Sequence, residues 1–320
     1  MSVEFRAVPE PSESLLSSVS SLAPENPFYT PEYCRVMRSK GSSPVVLLLE
    51  ANGKAVTACT AFSKKGRINH RLEIISAPAV GETDIFWRGL HKFCRDNEVS
   101  ILSVHTFGST ETSIGRMDGE VSRKKRFEYQ LDLRADDIWA GLHRRHQRHI
   151  KNASKNGLEI RLTTDPEAYR LHAELANLSL NRRRIGGDSI DYEVDARDLL
   201  LFKDNDVGEL YQAVCGGEVF SSLLVLKSPA GAYAQTSGTS SKGRDCGASQ
   251  LIFFEVACLL KAEGKTVFNL GGTDTKSSGL QDFKASFGAR QFELEAAEFY
   301  FGGVMKKTIC KVLEFIRLGK

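Results

Sequence analysis

One order of secondary-structure signals occurs twice in this chain, and that repetition limits the folds open to it. The first pass has an apolar strand over residues 45–50, an Asn52-Gly53 turn, a returning strand over 54–62 and a third strand over 71–76. Asn-Gly between apolar runs marks a tight hairpin, because both central positions tolerate positive φ. A helix over 82–97 follows, with Ile85, Phe86, Leu90, Phe93 and Cys94 at helical spacing, and then strands over 99–105 and 127–133. Phe127, Tyr129, Leu131 and Leu133 alternate inward in the last of these. The second pass runs 209–215, Gly216-Gly217, 218–226 and 232–237, then a helix over 248–263 and a strand over 266–270. A short helix over 280–287 and a strand over 292–301 close it. The expected fold class is therefore α/β, with α+β-type mixed sheets in two tandem copies of one unit. Residue identity between the halves is negligible, so the repeat rests on pattern alone.

The remaining segments fit around this frame. Residues 1–30 read as an irregular lead-in carrying one short helix. Residues 31–40 read as a helix capped by Thr30, with Pro31 in the first turn. One long helix is expected over 136–156, capped by Asp136 or Asp137 and stopped at Gly157, followed by a strand over 159–163 and a helix over 166–182. Residues 304–318 form a closing amphipathic helix, expected to pack on the first domain. The expected domains are 1–134, 135–302 and the helical tail 303–320.

Composition removes several classes. A chain of 320 residues exceeds what one core usually fills, which agrees with two domains of about 150 residues. The 41% apolar and 26% charged shares are those of a globular chain, and a net charge of +3 does not by itself mark a dedicated nucleic-acid binder. No stretch approaches the roughly 18 apolar residues of a membrane span. The first 13 residues hold Glu4, Arg6, Glu10 and Glu13 and resemble no secretory signal. Seven scattered cysteines without C-x-x-C spacing read as reduced thiols, so a cytoplasmic location is expected.

The chemistry concentrates between residues 235 and 288. The stretch 236–249 is rich in small residues and runs into an apolar helix. It reads as a loop whose backbone amides, with the helix N-terminus, face an anion, while Lys242 and Arg244 add full charges. The other reading is an exposed glycine loop before a core helix. Arg244, Gly247, Ala248 and Ser249 resemble the Arg/Gln-x-x-Gly-x-Gly/Ala loop with which GNAT acyltransferases hold the coenzyme A pyrophosphate, with Ser249 in the last place.

A wider resemblance is to the FemAB-like family. Arg148, Ile150, Ala153, Lys155 and Gly157 are similar to its R-x-I-x-x-A-x-K-x-G helix, and Phe268-Asn269-Leu270-Gly271-Gly272 with Phe283-Lys284-Ala285-Ser286-Phe287-Gly288 to its f-D-l-G-G … F-K-x-x-F-G ending. Asn269 stands where the family often shows Asp. The resemblance implies two GNAT-like domains, the second one catalytic, with the C-terminal helix packed back on the first. It also implies transfer of an acyl or aminoacyl group to an amine. The lysine of its final block, here Lys284, contacts the transferring group or its phosphates. An arginine of the kind found at Arg183 helps to bind the acceptor's phosphates, with Arg148 and Arg184 beside it as phosphate-binding candidates.

Read from the residues alone, Lys284 sits at the edge of a stripe made by Leu280, Phe283 and Phe287. Its ammonium must snorkel out, pair with a buried carboxylate or face a cavity. Tyr233 and Gln235 alternate onto one side of the third strand, where splayed backbone amides serve GNAT-like folds. Gln235 is a candidate for the reaction, and Tyr233 lines the donor channel or packs in the core. Ser237, Gly238, Gly271, Gly272 and Phe283 complete the expected donor site. No general base is identified: Asp274 is one candidate, but a loop aspartate is more often a turn former. The basic helix with Arg144, Arg145, Arg148, Lys151 and Lys155 is either a solvated face or a phosphate-binding one. Its histidines His143, His146 and His149 drift round the helix and do not make a zinc site.

The expected activity is N-acyl transfer from an acyl-CoA-like thioester to an amine of a small molecule or an envelope precursor, such as a nucleotide sugar or a lipid-linked intermediate. Aminoacyl-tRNA-dependent transfer to a peptidoglycan precursor is the alternative, with tRNA as partner. A non-catalytic GNAT-shaped binding protein is the third. No tightly bound cofactor and no metal is expected, only acyl-CoA or aminoacyl-tRNA as co-substrate.

Overall fold

The computed structural model describes residues 3–80, 84–110, 114–188, 190–273 and 277–303. In chain order the elements are β1 (Val3–Pro9), α1 (Glu13–Leu22), α2 (Pro31–Ser39), β2 (Ser43–Ala51), β3 (Lys54–Lys65), β4 (His70–Ile74), α3 (Asp84–Asp96) and β5 (Ile101–His105). Next come β6 (Glu120–Asp132), α4 (Ile138–Gly141), α5 (Arg144–Lys155), β7 (Glu159–Thr163), α6 (Pro166–Ile185) and α7 (Ala196–Asp204). The chain continues with β8 (Gly208–Cys215), β9 (Glu218–Lys227), β10 (Gly231–Thr239), α8 (Ser241–Cys246) and α9 (Ala248–Ala262). The last elements are β11 (Val267–Thr273), α10 (Ser278–Ala285) and β12 (Arg290–Tyr300). The expected closing helix lies outside the described residues.

The chain divides into two compact units. The first takes described residues of 3–22, 37–125 and 294–303, the second those of 23–36 and 126–293. In the first, the strand order is β1-β2-β3-β4-β5-β12. The strands from β1 to β4 are antiparallel neighbours, β4 runs parallel to β5, and β12 lies antiparallel to β5 with Ala296 opposite His105. The second has the order β6-β11-β10-β9-β8-β7 with the same directions: an antiparallel β7-β8-β9-β10 set, β10 parallel to β11, and β6 antiparallel to β11. The repeated unit and the mixed sheets are those expected.

Three segments differ from the sequence reading. Residues 3–9 are not irregular: they form β1 along β2, from Val3 opposite Ala51 to Pro9 opposite Val45. The final strand of each copy is exchanged, since residues 126–132 complete the second unit through β11 and residues 294–300 complete the first through β5. Residues 23–36 go with the second unit. The Ala230 amide donates to Pro24 O, the Thr266 hydroxyl to Glu25, and the Phe28 ring meets Tyr233 edge-on at 4.9 Å.

Two helices form differently as well. The expected 136–156 helix is broken at Leu142: Asp137 caps α4 through the Trp139 amide, and His143 starts α5 by accepting from the Arg145 amide. The Gln147 amide spans the break to Trp139 O and Leu142 O. α7, capped by Asp195, has no counterpart in the sequence reading.

The core of the second unit lies on one face of its sheet. α9 sets Leu251, Ile252, Val256 and Leu260 against Leu223, Val225, Ala232, Phe268 and Leu270, and α5 adds Ile150 and Ala153. α6 packs on β9 and β10. Thus the site elements are clamped by apolar burial at roughly 25 cal/mol per Å².

Candidate active site

Two bulges shape the site. β10 and β11 pair only over Gly231, Ala232 and Tyr233 against Val267, Phe268 and Asn269, although both strands continue. In β10, Gln235 is the extra residue between Ala234 and Thr236 on the ladder with β9. In β11, residues 270 and 271 occupy the space of one residue of β6. Each bulge bends its strand, and the parallel pair splays beyond Tyr233 and Asn269.

The β11 bulge has a local cause. The Asn269 side-chain oxygen accepts from the Gly271 amide at 2.8 Å, an Asx-type turn, and Gly271 follows at φ +79°. A side chain at 271 would also begin 3.0 Å from Ala234 O and 3.4 Å from Lys284 Nζ. Glycine is required there, and the Lys284 ammonium lies where the two strands part.

Lys284 is 6% exposed, more buried than half-buried Leu280 and Phe283, while Phe287 of the expected stripe is buried. Its ammonium donates to Gly272 O at 2.9 Å. No carboxylate pairs with it directly among the described residues. Burial pushes its pKa down to about 7; Glu128 opposes that fall, while Arg126 and Arg183 add to it. A buried ammonium with N–H donors beyond the one on Gly272 O, beside a splayed strand pair, can receive a developing oxyanion or a phosphate.

Glu128 was missed in the sequence because it alternates with Phe127 and Tyr129 and so reads as the wet face of a strand. It is fully buried. Its carboxylate accepts from the Tyr233 hydroxyl, the Arg126 guanidinium and the Asn269 side-chain amide, each at 2.8 Å. Tyr233 therefore does not line a donor channel: its hydroxyl points into this network, and burial with the Glu128 charge raises its pKa well above the usual value. The Gln235 bulge breaks the alternation that would have put Tyr233 and Gln235 on one side, leaving Gln235 half-buried at the splay.

His172, also missed, is fully buried on α6. Its Nδ1 meets the Ser222 hydroxyl and its Nε2 the Thr236 hydroxyl, both at 2.7 Å, tying α6 to the strand just after the bulge. Burial pushes its pKa down to about 3, so the ring is neutral. His146 is buried too, with Nε2 2.9 Å from Phe283 O and a pKa pushed down to about 4 chiefly by burial; it anchors the end of α10 next to Lys284.

The expected glycine loop is a correction. Residues 231–239 are strand, 241–246 a short helix, and Gly247, at φ +89°, joins it to α9. The Gly243 amide already donates to the Ser240 hydroxyl, the Arg244 amide to Ser240 O and the Gly247 amide to Gly243 O. The glycines serve close packing: a side chain at Gly238 would begin 2.3 Å from Leu175 and Ala176 backbone atoms, at Gly243 2.2 Å from Phe220 O, and at Gly247 2.5 Å from His149 O. Gly238→Ala is expected to lower unfolding stability by about 1–3 kcal/mol, read by urea titration, because the obstruction is backbone.

The other expected donor residues divide. Lys242 pairs with Glu218 at 3.0 Å on the surface. Phe283 packs among His146, Phe253 and Phe287, away from a donor role. Ser237 and Arg244 are exposed, Ala248 starts α9 buried, and Ser249 bonds the Thr239 hydroxyl at 2.8 Å. Gly272 lies under the Arg126 guanidinium. Asp274 lies outside the described residues.

Of the phosphate candidates, Arg148 is exposed on α5. Arg183 is paired with Asp188 at 2.7 Å, which also accepts from Ser277. Arg184 is engaged by the Ile190 and Tyr192 carbonyls and by Asn181, so it serves the loop after α6 rather than a ligand. α5 does adjoin the start of α9: Asn152 donates to Cys246 O at 3.1 Å. Its Arg144, Arg145, Arg148, Lys151 and Lys155 are exposed on this helix, which packs against α8 and α9.

A splayed parallel strand pair, with a buried lysine at its parting point, is followed by the α9 crossover. The family model described as "Acetyltransferase (GNAT) domain" matches residues 141–285. The fold is similar to that of FemX, with TM-score 0.68 at 11% identity over 98% of this chain and 100% of that one. It is also similar to the C-terminal domain of a putative lysylphosphatidylglycerol synthetase from Agrobacterium fabrum (0.56, 12%, 94% and 96%). A tandem GNAT protein from the clavulanic acid biosynthesis pathway gives 0.53 at 13% over 94% and 99%. No curated protein sequence matches the chain. Residues 141–285 belong to the GNAT acyltransferase family, the chain is an acyltransferase, and its fold is that of the tandem, FemAB-like members.

Proposed function

We propose that this acyltransferase moves an aminoacyl group from a polyanionic carrier, an aminoacylated tRNA, to the amine of a cell-envelope precursor on the cytoplasmic side of the membrane. The observation that carries the reading is the Lys284 ammonium, buried where β10 and β11 part with one N–H on Gly272 O. The acceptor amine adds to the ester carbonyl, the oxygen takes the negative charge and the ammonium faces it. Collapse then forms the amide, breaks the ester C–O bond and releases the carrier hydroxyl with the proton from the amine. One such donor is worth roughly 3–4 kcal/mol in the transition state.

Two features favour tRNA over coenzyme A as the carrier. Three amides expected to cradle a pyrophosphate are already hydrogen-bonded within α8. The exposed cations of α5 form a long basic face beside α9, suited to a string of phosphates. The names of two fold neighbours, FemX and a putative lysylphosphatidylglycerol synthetase, agree with envelope aminoacyl transfer. The second reading, acyl-CoA, is favoured by the family match, since GNAT domains take acyl-CoA as co-substrate. Among the described residues no helix is long and apolar enough to cross a membrane, so a lipid-linked acceptor would be met at its headgroup.

Filter retention of charged tRNA against thermal shift with acetyl- and longer acyl-coenzyme A separates the two. Salt-sensitive retention without any coenzyme A shift is the expected result. A coenzyme A shift with no tRNA retention would replace the first reading by the second.

A further inference from the structure

The Glu128 network does more than fill a sheet. Gly272, whose carbonyl accepts the Lys284 ammonium, is the direct cross-strand partner of Glu128. The carboxylate is fully buried, and Tyr233, Arg126 and Asn269 reach it as donors. The Asn269 amide cannot turn over, because its oxygen is committed to the Gly271 amide. Such a donor set matches the oxygens of a carboxylate.

We propose that Glu128 is a positioning residue of the transfer site: a buried carboxylate fixed in β6, opposite Gly272, that favours the Lys284 ammonium where β10 and β11 part. The inference deepens the reading of Lys284 given above and rests on it. The charged groups around the ammonium are Glu128 and Arg126 from β6 and Arg183 from α6, the last paired with Asp188. Glu128 is the one that favours the charged form; both arginines oppose it. Gly272 O, from β11, supplies a neutral acceptor only.

This arrangement also accounts for Asn at 269. An aspartate there could still accept from the Gly271 amide, but it would place a second carboxylate oxygen where an N–H now donates to Glu128 at 2.8 Å. Two carboxylates at that distance cannot both ionise. With the anion supplied by β6, β11 must supply a donor.

The test reads Lys284 directly, in the full chain labelled with 13C-lysine, following its Cε resonance against pH and assigning it by its loss in Lys284→Met. Glu128→Gln is expected to move the Lys284 midpoint down by about one pH unit or more. Glu128→Asp, which keeps the charge, should restore most of the difference. Should Glu128→Gln not fold, Arg126→Gln tests the same field with the opposite sign, and its midpoint must rise. The alkaline limb of kcat for any transfer measured should follow the resonance, with KM for the carrier unchanged. A midpoint that stays in place in these variants overturns the role of Glu128. A midpoint that moves in a protein inert with every donor would leave that role standing and sink the transferase reading instead.

Discussion

Lys284→Met is expected to lower transfer by about 100- to 1,000-fold while raising the unfolding temperature. The loss follows from removing the buried ammonium at the parting of β10 and β11, at the rate typical of a single oxyanion donor. The gain follows from burial: the native environment disfavours the charged lysine, pushing its pKa down to about 7 from an ordinary 10.5. Between those two values the unfolded chain holds a proton that the native chain lacks, so native stability rises with pH across that window. Below pH 7 both states are protonated and the whole penalty is present. Methionine has no such charge, so its advantage should be widest at pH 6 and should shrink towards pH 10, with about 2–4 °C as the scale of the shift. The carbonyl of half-buried Gly272 loses its donor but can turn to water, which limits the offset. Thermal scans at several pH values beside single-turnover rates check both halves. A Lys284→Met protein that is less stable at pH 6, or as active as the parent, refutes the argument.

Charge reversal on α5 should act on binding rather than on folding. Arg145 and Arg148 are exposed, and neither has a carboxylate partner among the described residues. Arg145→Glu with Arg148→Glu removes two positive charges and adds two negative ones. If each arginine meets one phosphate, the slope of log K against log salt should flatten by about 1.4–1.8, and affinity for charged tRNA at low salt should drop about 100-fold or more. The unfolding midpoint should move little, because surface charges away from partners contribute within about 0.5 kcal/mol. Retention measured from 50 to 300 mM salt decides it. Unchanged affinity would mean that the helix is merely solvated and that the carrier lies elsewhere.

The sequence showed the frame well and the site unevenly. The repeated order of strands and the α9 crossover are written in apolar periodicity and turn residues, which are local signals. The exchange of β6 and β12 is not, because a strand carries no local mark of the partner it will choose. Lys284 was singled out, yet its burial could not be foreseen: the space it occupies is opened by the Asn269–Gly271 turn on another element. Glu128 was hidden by strand alternation, which cannot tell a wet face from one covered by a second layer. The small residues between 236 and 249 suggested an open loop, whereas Gly238 and Gly243 are small because Leu175, Ala176 and the Phe220 carbonyl pass against them.

The exchanged strands bear on how the chain matures as it leaves the ribosome. The second unit has its six strands once residue 273 has been synthesised, since β6 precedes the rest of it. The first must wait for β12, nearly two hundred positions after β5, with the flank of β5 meanwhile unmated. Closing so distant a pair is slow, and an unmated flank invites wrong partners. The part of the molecule made first is therefore the part completed last.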